Sequence, residues 1–203
     1  MSLALKLVLS PLLVAQALAT RCRALVLPEA AGPREGRLGP REGRAVRVLI
    51  AGDSSAAGVG VMHQRDAVAG HLVITLQHRL RRPIEWVLCA RSGLTTGQLH
   101  ALLQAGPPPA VDIAVVVTGV NDVIDQVPSA RAVQHRAAIA DWLLDHGLAR
   151  HVVFAPLPPI GRFPLLPQPL RRVLGAMHCA MTKRWRAGPA DARMSRTSAS
   201  NST

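Results

Sequence analysis

The sequence predicts an α/β domain in which helices cover both faces of a parallel β-sheet. Four short runs have the Val-, Ile- and Leu-rich composition of buried strands, at residues 46–51, 84–90, 111–118 and 151–155. Stretches that predict helices alternate with these runs, at residues 63–82, 96–103, 129–146 and 170–187. Strands that alternate with helices favour a parallel sheet buried on both sides.

The ends of the predicted helices carry recognisable stop and cap residues. Pro83 ends the first long helix because proline cannot continue the hydrogen-bonding pattern. Thr95 or Thr96 can cap the second helix, and Ser129 can cap the third, which stops at Gly147. The stretch 156–169 is rich in proline and predicts irregular structure before the last helix.

Composition bounds the class of protein and its partners. The chain has 203 residues, of which 49% are hydrophobic and 18% charged, so it can bury a core. Its formal net charge is +12, which leaves an anionic membrane surface open as a partner. The aromatic residues are three Trp and two Phe, too few for a stacking platform, so no nucleic acid partner is expected.

Motifs for metals, cofactors and redox chemistry are missing from the sequence. The three cysteines, Cys22, Cys89 and Cys179, form no C-x-x-C pair, which argues against a zinc ribbon or a thioredoxin motif. There is no H-E-x-x-H pattern, no phosphate-binding G-x-x-x-x-G-K-[ST] loop and no G-x-S-x-G elbow. We therefore expect neither a cofactor nor a bound metal.

The first 44 residues divide into a hydrophobic segment, 1–27, and a Pro/Gly/Arg-rich segment, 28–44. Residues 7–19 are mostly apolar and fit either a signal or anchor, or a helix that lies on a membrane or on the domain. Arg21 and Arg23 follow and oppose export, so a cytoplasmic or membrane-associated location is favoured over secretion. Residues 32–37 and 39–44 repeat the sequence Gly-Pro-Arg-Glu-Gly-Arg, and we expect 28–44 to be a linker.

Three loops follow predicted strands and carry polar residues. They read Gly52-Asp53-Ser54, Arg91-Ser92-Gly93 and Gly119-Val120-Asn121-Asp122. Since ligands of parallel sheets bind beyond the carboxyl ends of the strands, we expect these loops to converge on one site.

In this order and spacing, the three loops resemble the conserved blocks of the SGNH/GDSL hydrolases, a superfamily of esterases and lipases. The stretch 156–164, Pro-Leu-Pro-Pro-Ile-Gly-Arg-Phe-Pro, also resembles bacterial members, and the likeness extends over residues 45–187. It implies a flavodoxin-like three-layer α/β/α fold. It also implies hydrolysis of acyl esters, including lysophospholipids.

The resemblance assigns roles to residues of these loops. Ser54 would be the nucleophile, and its backbone N–H, the Gly93 N–H and the Asn121 amide would form the oxyanion hole. Asp53 and Asp122 would support the loops through structural hydrogen bonds. The loop glycines Gly52 and Gly119 belong to the same blocks.

The family's general base does not occur in this sequence. The family carries it in an Asp-x-x-His block near the C-terminus, and no Asp here has His three residues later. We also expect the family's last strand and closing helix to be missing, with residues 188–203 a disordered tail.

Three explanations for the missing base stay open. The first is a truncated or frame-shifted product. In the second, another histidine supplies the base: His63 is the best substitute, ahead of His151 and His178. In the third, the chain is a non-catalytic protein that binds acyl ligands or anionic membranes.

The Phe163-Pro-Leu-Leu166 stretch can line an acyl pocket, form a lid, or simply pack over the sheet.

Overall fold

The protein is built on one five-stranded sheet. A computed structural model of the chain describes residues 11, 12, 14–16, 19, 27–164 and 166–186. The strands lie in the order β1-β3-β2-β4-β5, and β2 to β5 are parallel while β1 runs antiparallel to β3 at the edge. Their bounds are Glu35–Leu38 (β1), Val46–Gly52 (β2), Ile84–Ala90 (β3), Val111–Val117 (β4) and Ala149–Phe154 (β5).

Helices cover both faces of this sheet. Their bounds are Ser54–Ala57 (α1), Val68–Leu80 (α2), Thr96–Ala105 (α3), Val120–Ile124 (α4), Ser129–Asp145 (α5) and Leu170–Arg186 (α6). Alternate residues of β2 bury opposite faces: Leu49 packs in the core with α3 and α5, and Ile50 packs in the core with α1 and α2. This arrangement explains why β2 is apolar on both sides and confirms the predicted three-layer α/β fold.

A third apolar cluster lies where α6 packs against α4, α5 and the proline-rich stretch. Leu157, Ile160, Leu174 and Trp185 are buried there. Gly161 and Gly175 approach so closely that a Cβ on Gly175 would lie 3.1 Å from the Cα of Gly161. The irregular stretch after β5 is therefore fixed by helix packing.

The segment 28–44 differs from the predicted linker because its middle forms β1. Leu88 N–H donates to the Arg34 carbonyl at 2.6 Å, and the Arg34 guanidinium binds Glu29 at 3.0 Å and the carbonyl of Ala90. The side chain of Gln64 donates to the carbonyl of Ala30 at 3.1 Å. Pairing with β1 satisfies the free edge of β3, which is a long-range effect that the local sequence does not encode.

On the other side of the sheet, β5 is the outermost strand among the described residues. The expected tail, 188–203, lies outside the described residues, as does most of segment 1–27. Gln16 of the N-terminal segment donates to the carbonyl of Gln168 at 2.6 Å and accepts from the N–H of Leu170 at 3.2 Å. In the part of the chain that the structure describes, no helix is long and apolar enough to cross a membrane.

Candidate active site

The three polar loops begin at the same level of the sheet. In the strand register, Gly52 pairs with Ala90 of β3 and with Val117 of β4. The N–H of Asp53 donates to the carbonyl of Val117 at 3.1 Å, and the N–H of Arg91 donates to the carbonyl of Gly52 at 3.2 Å. The fold therefore brings all three loops to one edge.

Ser54 is the first residue of α1 and is half-buried. The chain turns from strand to helix within one residue, and a Cβ on Gly52 would overlap the carbonyl oxygen of Val117. Glycine is therefore required at that position. Among the described residues, no hydrogen bond occupies the Ser54 hydroxyl, so it is available to a ligand.

The Asp53 carboxyl lies beneath this turn and is 1% exposed. Its Oδ1 accepts from the N–H of Ser55 at 3.0 Å and caps α1, while its Oδ2 has no protein partner. Burial raises the pKa of Asp53 to about 6, hydrogen bonds from Ser55 oppose the rise, and the negative charge of Asp122 adds to it. The carboxyl thus orders the loop while carrying an electrostatic cost.

Gly93 lies in the second loop with open space beside it. Its φ is +84°, a conformation that favours glycine, and no atom lies within 4 Å of where a Cβ would be. The neighbouring N–H of Ser92 donates to Glu29 at 2.6 Å. The space on the Cβ side of Gly93 is therefore open.

Asn121 belongs to the third loop, in the first turn of α4. Its Nδ2 donates one hydrogen to the carbonyl of Leu94 at 2.9 Å. Since an amide nitrogen carries two hydrogens, the second remains for another acceptor. The bond to Leu94 ties Asn121 to the loop of Gly93 and fixes the orientation of the amide.

Asp122 links the second and third loops from below, through a partner that the sequence did not single out for this role. Its carboxyl is fully buried, and Oδ2 accepts from the N–H of Thr96 at 3.0 Å and from its hydroxyl at 2.6 Å. The Thr96 hydroxyl also lies 3.3 Å from that of Thr118. The sequence singled out Thr96 only as a helix cap, and the cap is Thr95.

A second contact that the sequence did not predict involves Gly119. This residue has φ +118°, and a Cβ there would overlap the indole of Trp185 and lie 2.9 Å from Leu157. The guanidinium of Arg136 lies over the rings of Phe154 and Trp185, at 4.3 and 4.5 Å from their centroids. Helix α6 is thereby packed against the start of α4, which carries Asn121.

None of the three candidate substitute histidines makes a hydrogen bond with Ser54 in the described part of the chain. His63 forms an isolated β-bridge with Ala31. It lines a groove of about 430 Å³ between β1 and α2, and Ser54 is not among the residues that line this groove. His151 pairs with Ile113, which is level with Val48, four residues before Gly52 and about 13 Å below it.

His178 lies on α6 with its Nδ1 unpartnered, and burial lowers its pKa. Among the described residues, no three His, Cys, Asp or Glu side chains come together as they would around a metal ion.

Phe163 is partly exposed and Leu166 packs on the α6 cluster, while Leu165 lies outside the described residues.

Sequence comparison identifies the class of protein. A model of the GDSL-like lipase/acylhydrolase family matches residues 50–188. The chain therefore belongs to this family of hydrolases.

One relative in this family is a GDSL-like esterase of Mycobacterium tuberculosis (strain ATCC 25618 / H37Rv), Rv1075c. The two chains are 31% identical over 130 residues, which cover 62% of this chain and 40% of that esterase. The matched region thus spans less than half the length of this relative.

Solved structures confirm the fold. The SGNH-hydrolase family esterase AlinE4 superposes with a TM-score of 0.52 at 20% identity, over 72% of this chain and 76% of that chain. A member of the lipolytic G-D-S-L family from Veillonella parvula DSM 2008 gives a TM-score of 0.54 at 14% identity, over 74% and 75% of the two chains.

Proposed function

We propose that the protein hydrolyses carboxylic acyl esters, with Ser54 as the nucleophile and lysolipids among the substrates. One observation carries the proposal: Gly52 is level with the ends of both neighbouring strands, so the Ser54 turn lies between the loops of Gly93 and Asn121. Acyl transfer needs this combination of an accessible hydroxyl and hydrogen-bond donors around one reacting carbonyl.

In the proposed reaction, Ser54 Oγ attacks the ester carbonyl carbon and gives up its proton to a base. The carbonyl oxygen becomes an oxyanion and accepts hydrogen bonds from the N–H groups of Ser54 and Gly93 and from Asn121. The bond to the alcohol oxygen then breaks, and the alcohol leaves with a proton. Water hydrolyses the acyl-serine by the same route and restores the hydroxyl.

We propose that turnover is slow because no histidine among the described residues forms a hydrogen bond with Ser54. Hydroxide or a buffer base then takes the serine proton, and the oxyanion donors supply the remaining catalysis. In serine proteases lacking a triad member, such donors and substrate binding retain an acceleration of about 10³-fold to 10⁴-fold over water.

Hydrolysis of p-nitrophenyl acetate tests this proposal. Ser54→Ala should abolish the turnover above background, and Ser92→Ala is the matched control, since Ser92 is an exposed serine of the neighbouring loop. Added imidazole should raise the wild-type rate in proportion to its neutral form, because it replaces the missing base. Equal rates for wild type and Ser54→Ala, with and without imidazole, would contradict the proposal.

The second candidate is a non-catalytic protein that binds acyl ligands or anionic membranes. It is favoured by the one observation that no base among the described residues forms a hydrogen bond with the Ser54 hydroxyl. This candidate predicts saturable binding of a fluorescent fatty acid without turnover. It also predicts that imidazole has no Ser54-dependent effect.

A further inference from the structure

The edge of the sheet opposite Ser54 carries a dense group of arginines. Strands β2 and β3 begin at this edge, and α2 ends there. We call the exposed arginines at this edge the basic edge: Arg41, Arg44, Arg47, Arg79, Arg81 and Arg82. None of them forms an ion pair among the described residues.

Backbone contacts hold this group together. The guanidinium of Arg82 donates twice to the carbonyl of Arg44, at 3.2 and 3.0 Å. The N–H of Val46 donates to the carbonyl of Pro83 at 2.8 Å, which joins the start of β2 to the turn after α2. These contacts hold Arg44 and Arg82 together and join the start of β2 to the end of α2.

The repeated Gly-Pro-Arg-Glu-Gly-Arg motif supplies part of this surface, and its two copies differ in role. In the first copy, Arg34 is engaged by Glu29, and Arg37 pairs with Glu85 at 2.7 Å. In the second copy, Arg41 and Arg44 form no ion pair with an acidic side chain of the described residues. The repeat thus uses one copy to build the sheet edge and the other to present free positive charge.

Acidic groups at this edge do not cancel the charge. Glu85 is held by Arg37, and Asp112 lies 3.7 Å from Arg150 and accepts from the N–H of Arg47. Glu42 is the remaining carboxylate of the β1–β2 connection. Six guanidinium groups without an ion pair therefore face solvent, with Glu42 as the one unpaired acid near them among the described residues, which predicts a strongly positive potential.

The surroundings of the basic edge favour lipid over nucleic acid. Leu80 lies between Arg79 and Arg81 and is 44% exposed, and Leu38 of β1 is 38% exposed. Phe163 is the one exposed Phe or Trp side chain among the described residues, and it lies in the loop that follows β5. Single-stranded nucleic acids need exposed rings for stacking, whereas a membrane surface needs cations with nearby aliphatic side chains.

We propose that the basic edge docks on anionic phospholipid membranes. The guanidinium groups bind lipid phosphates, and Leu38 and Leu80 enter the headgroup region. Seven-residue strands separate this edge from the Ser54 loop by about 20 Å, so the loop faces away from the bilayer. The acyl-ester site of the proposed function would then take its substrates from water, although the docking itself does not depend on that function.

Co-sedimentation with vesicles tests the docking without any need for turnover. The probes are phosphatidylcholine vesicles with and without about 30 mol% phosphatidylglycerol. Arg41→Glu, Arg44→Glu and Arg47→Glu are combined in one variant, because the side chains of these arginines make no hydrogen bond or ion pair within the described part of the chain. The control combines Arg131→Glu, Arg162→Glu and Arg172→Glu, which change the net charge equally at exposed positions outside the basic edge.

The expected result is binding to the anionic vesicles alone, weakened by about 0.5 M salt. The basic-edge variant should bind at least about a hundred-fold more weakly, at about five-fold for each arginine removed, and the control variant should bind nearly as wild type. The proposal is overturned by equal loss in both variants, by equal binding to neutral vesicles, or by tighter binding to a single-stranded RNA than to anionic vesicles.

A dye that reports membrane contact tests the orientation. It is attached to Arg81→Cys or Ser92→Cys in a variant whose native cysteines are replaced by serine. Brominated lipid should quench the dye at position 81, in the basic edge, and leave the dye at position 92, beside the candidate site, unchanged. Quenching at position 92 would overturn the orientation, whatever the result for ester hydrolysis.

Discussion

Replacing Thr96 by valine tests the buried link between the second and third loops. Valine has the shape of threonine, so the change removes the hydroxyl without leaving a large cavity. Asp122 loses the 2.6 Å hydrogen bond to its Oδ2 and keeps the one from the Thr96 N–H at 3.0 Å. The Thr118 hydroxyl also loses its neighbour at 3.3 Å.

The expected loss of stability follows from these contacts. A hydrogen bond to a charged group contributes about 1.5–3 kcal/mol, and Asp122 is fully buried, so water cannot replace the donor. We expect the free energy of unfolding to fall by about 2–3 kcal/mol. With an m-value of about 2 kcal/mol/M, the urea midpoint should fall by roughly 1 M or more.

Urea unfolding monitored by circular dichroism measures this change. Thr75→Val is the matched control, because Thr75 is an exposed threonine of α2 without a hydrogen bond to its hydroxyl among the described residues. The control should stay within about 0.5 kcal/mol of wild type. If Thr96→Val unfolded at the same urea concentration as Thr75→Val, the link through Asp122 would contribute nothing and the reasoning would be refuted.

Three further changes test the geometry of the site. Gly119→Ala should lower the free energy of unfolding in urea by about 3 kcal/mol, because its methyl group would overlap Trp185 and the φ of residue 119 is +118°. Gly106→Ala, whose methyl group would meet open space, should be nearly neutral. Because folding raises the pKa of Asp53 from 3.8 to about 6, the free energy of unfolding should fall by about 3 kcal/mol as the pH rises through that interval. Asp53→Asn should remove this part of the pH dependence. Parallel plots of stability against pH for the variant and wild type would contradict the expectation. Asn121→Ala should lower Ser54-dependent ester turnover by about 10²-fold to 10³-fold, and an unchanged rate would exclude its amide from the oxyanion hole.

The parallel sheet could be predicted because its signals are local. The runs that became β2 to β5 are apolar, and Pro83 and Gly147 stop the helices close to where the structure ends them. Strand β1 could not be predicted, since its residues Glu35–Leu38 are all exposed and carry no apolar alternation. It forms because β3 offers a free edge and Arg34 is anchored by distant groups.

The convergence of the three polar loops was predictable for a similar reason. Each polar loop follows a strand, and parallel strands end at one edge, so the approach of the Ser54 turn to Asn121 follows from topology. The contacts beneath the loops were not predictable. Thr96 reaches Asp122 across 26 positions of the chain, and Trp185 reaches Gly119 from the last helix. No spacing in the sequence marks such pairs.

The most direct test of the candidate site is to map where a fluorophosphonate attaches. After incubation of the full chain, with imidazole present, peptide mass spectrometry locates the adduct. We predict modification at Ser54, at a rate about 10²-fold lower in Asn121→Ala, because the phosphonyl oxygen occupies the place of the oxyanion. Modification at another residue, or an equal rate in the Asn121 variant, would contradict the site proposed here.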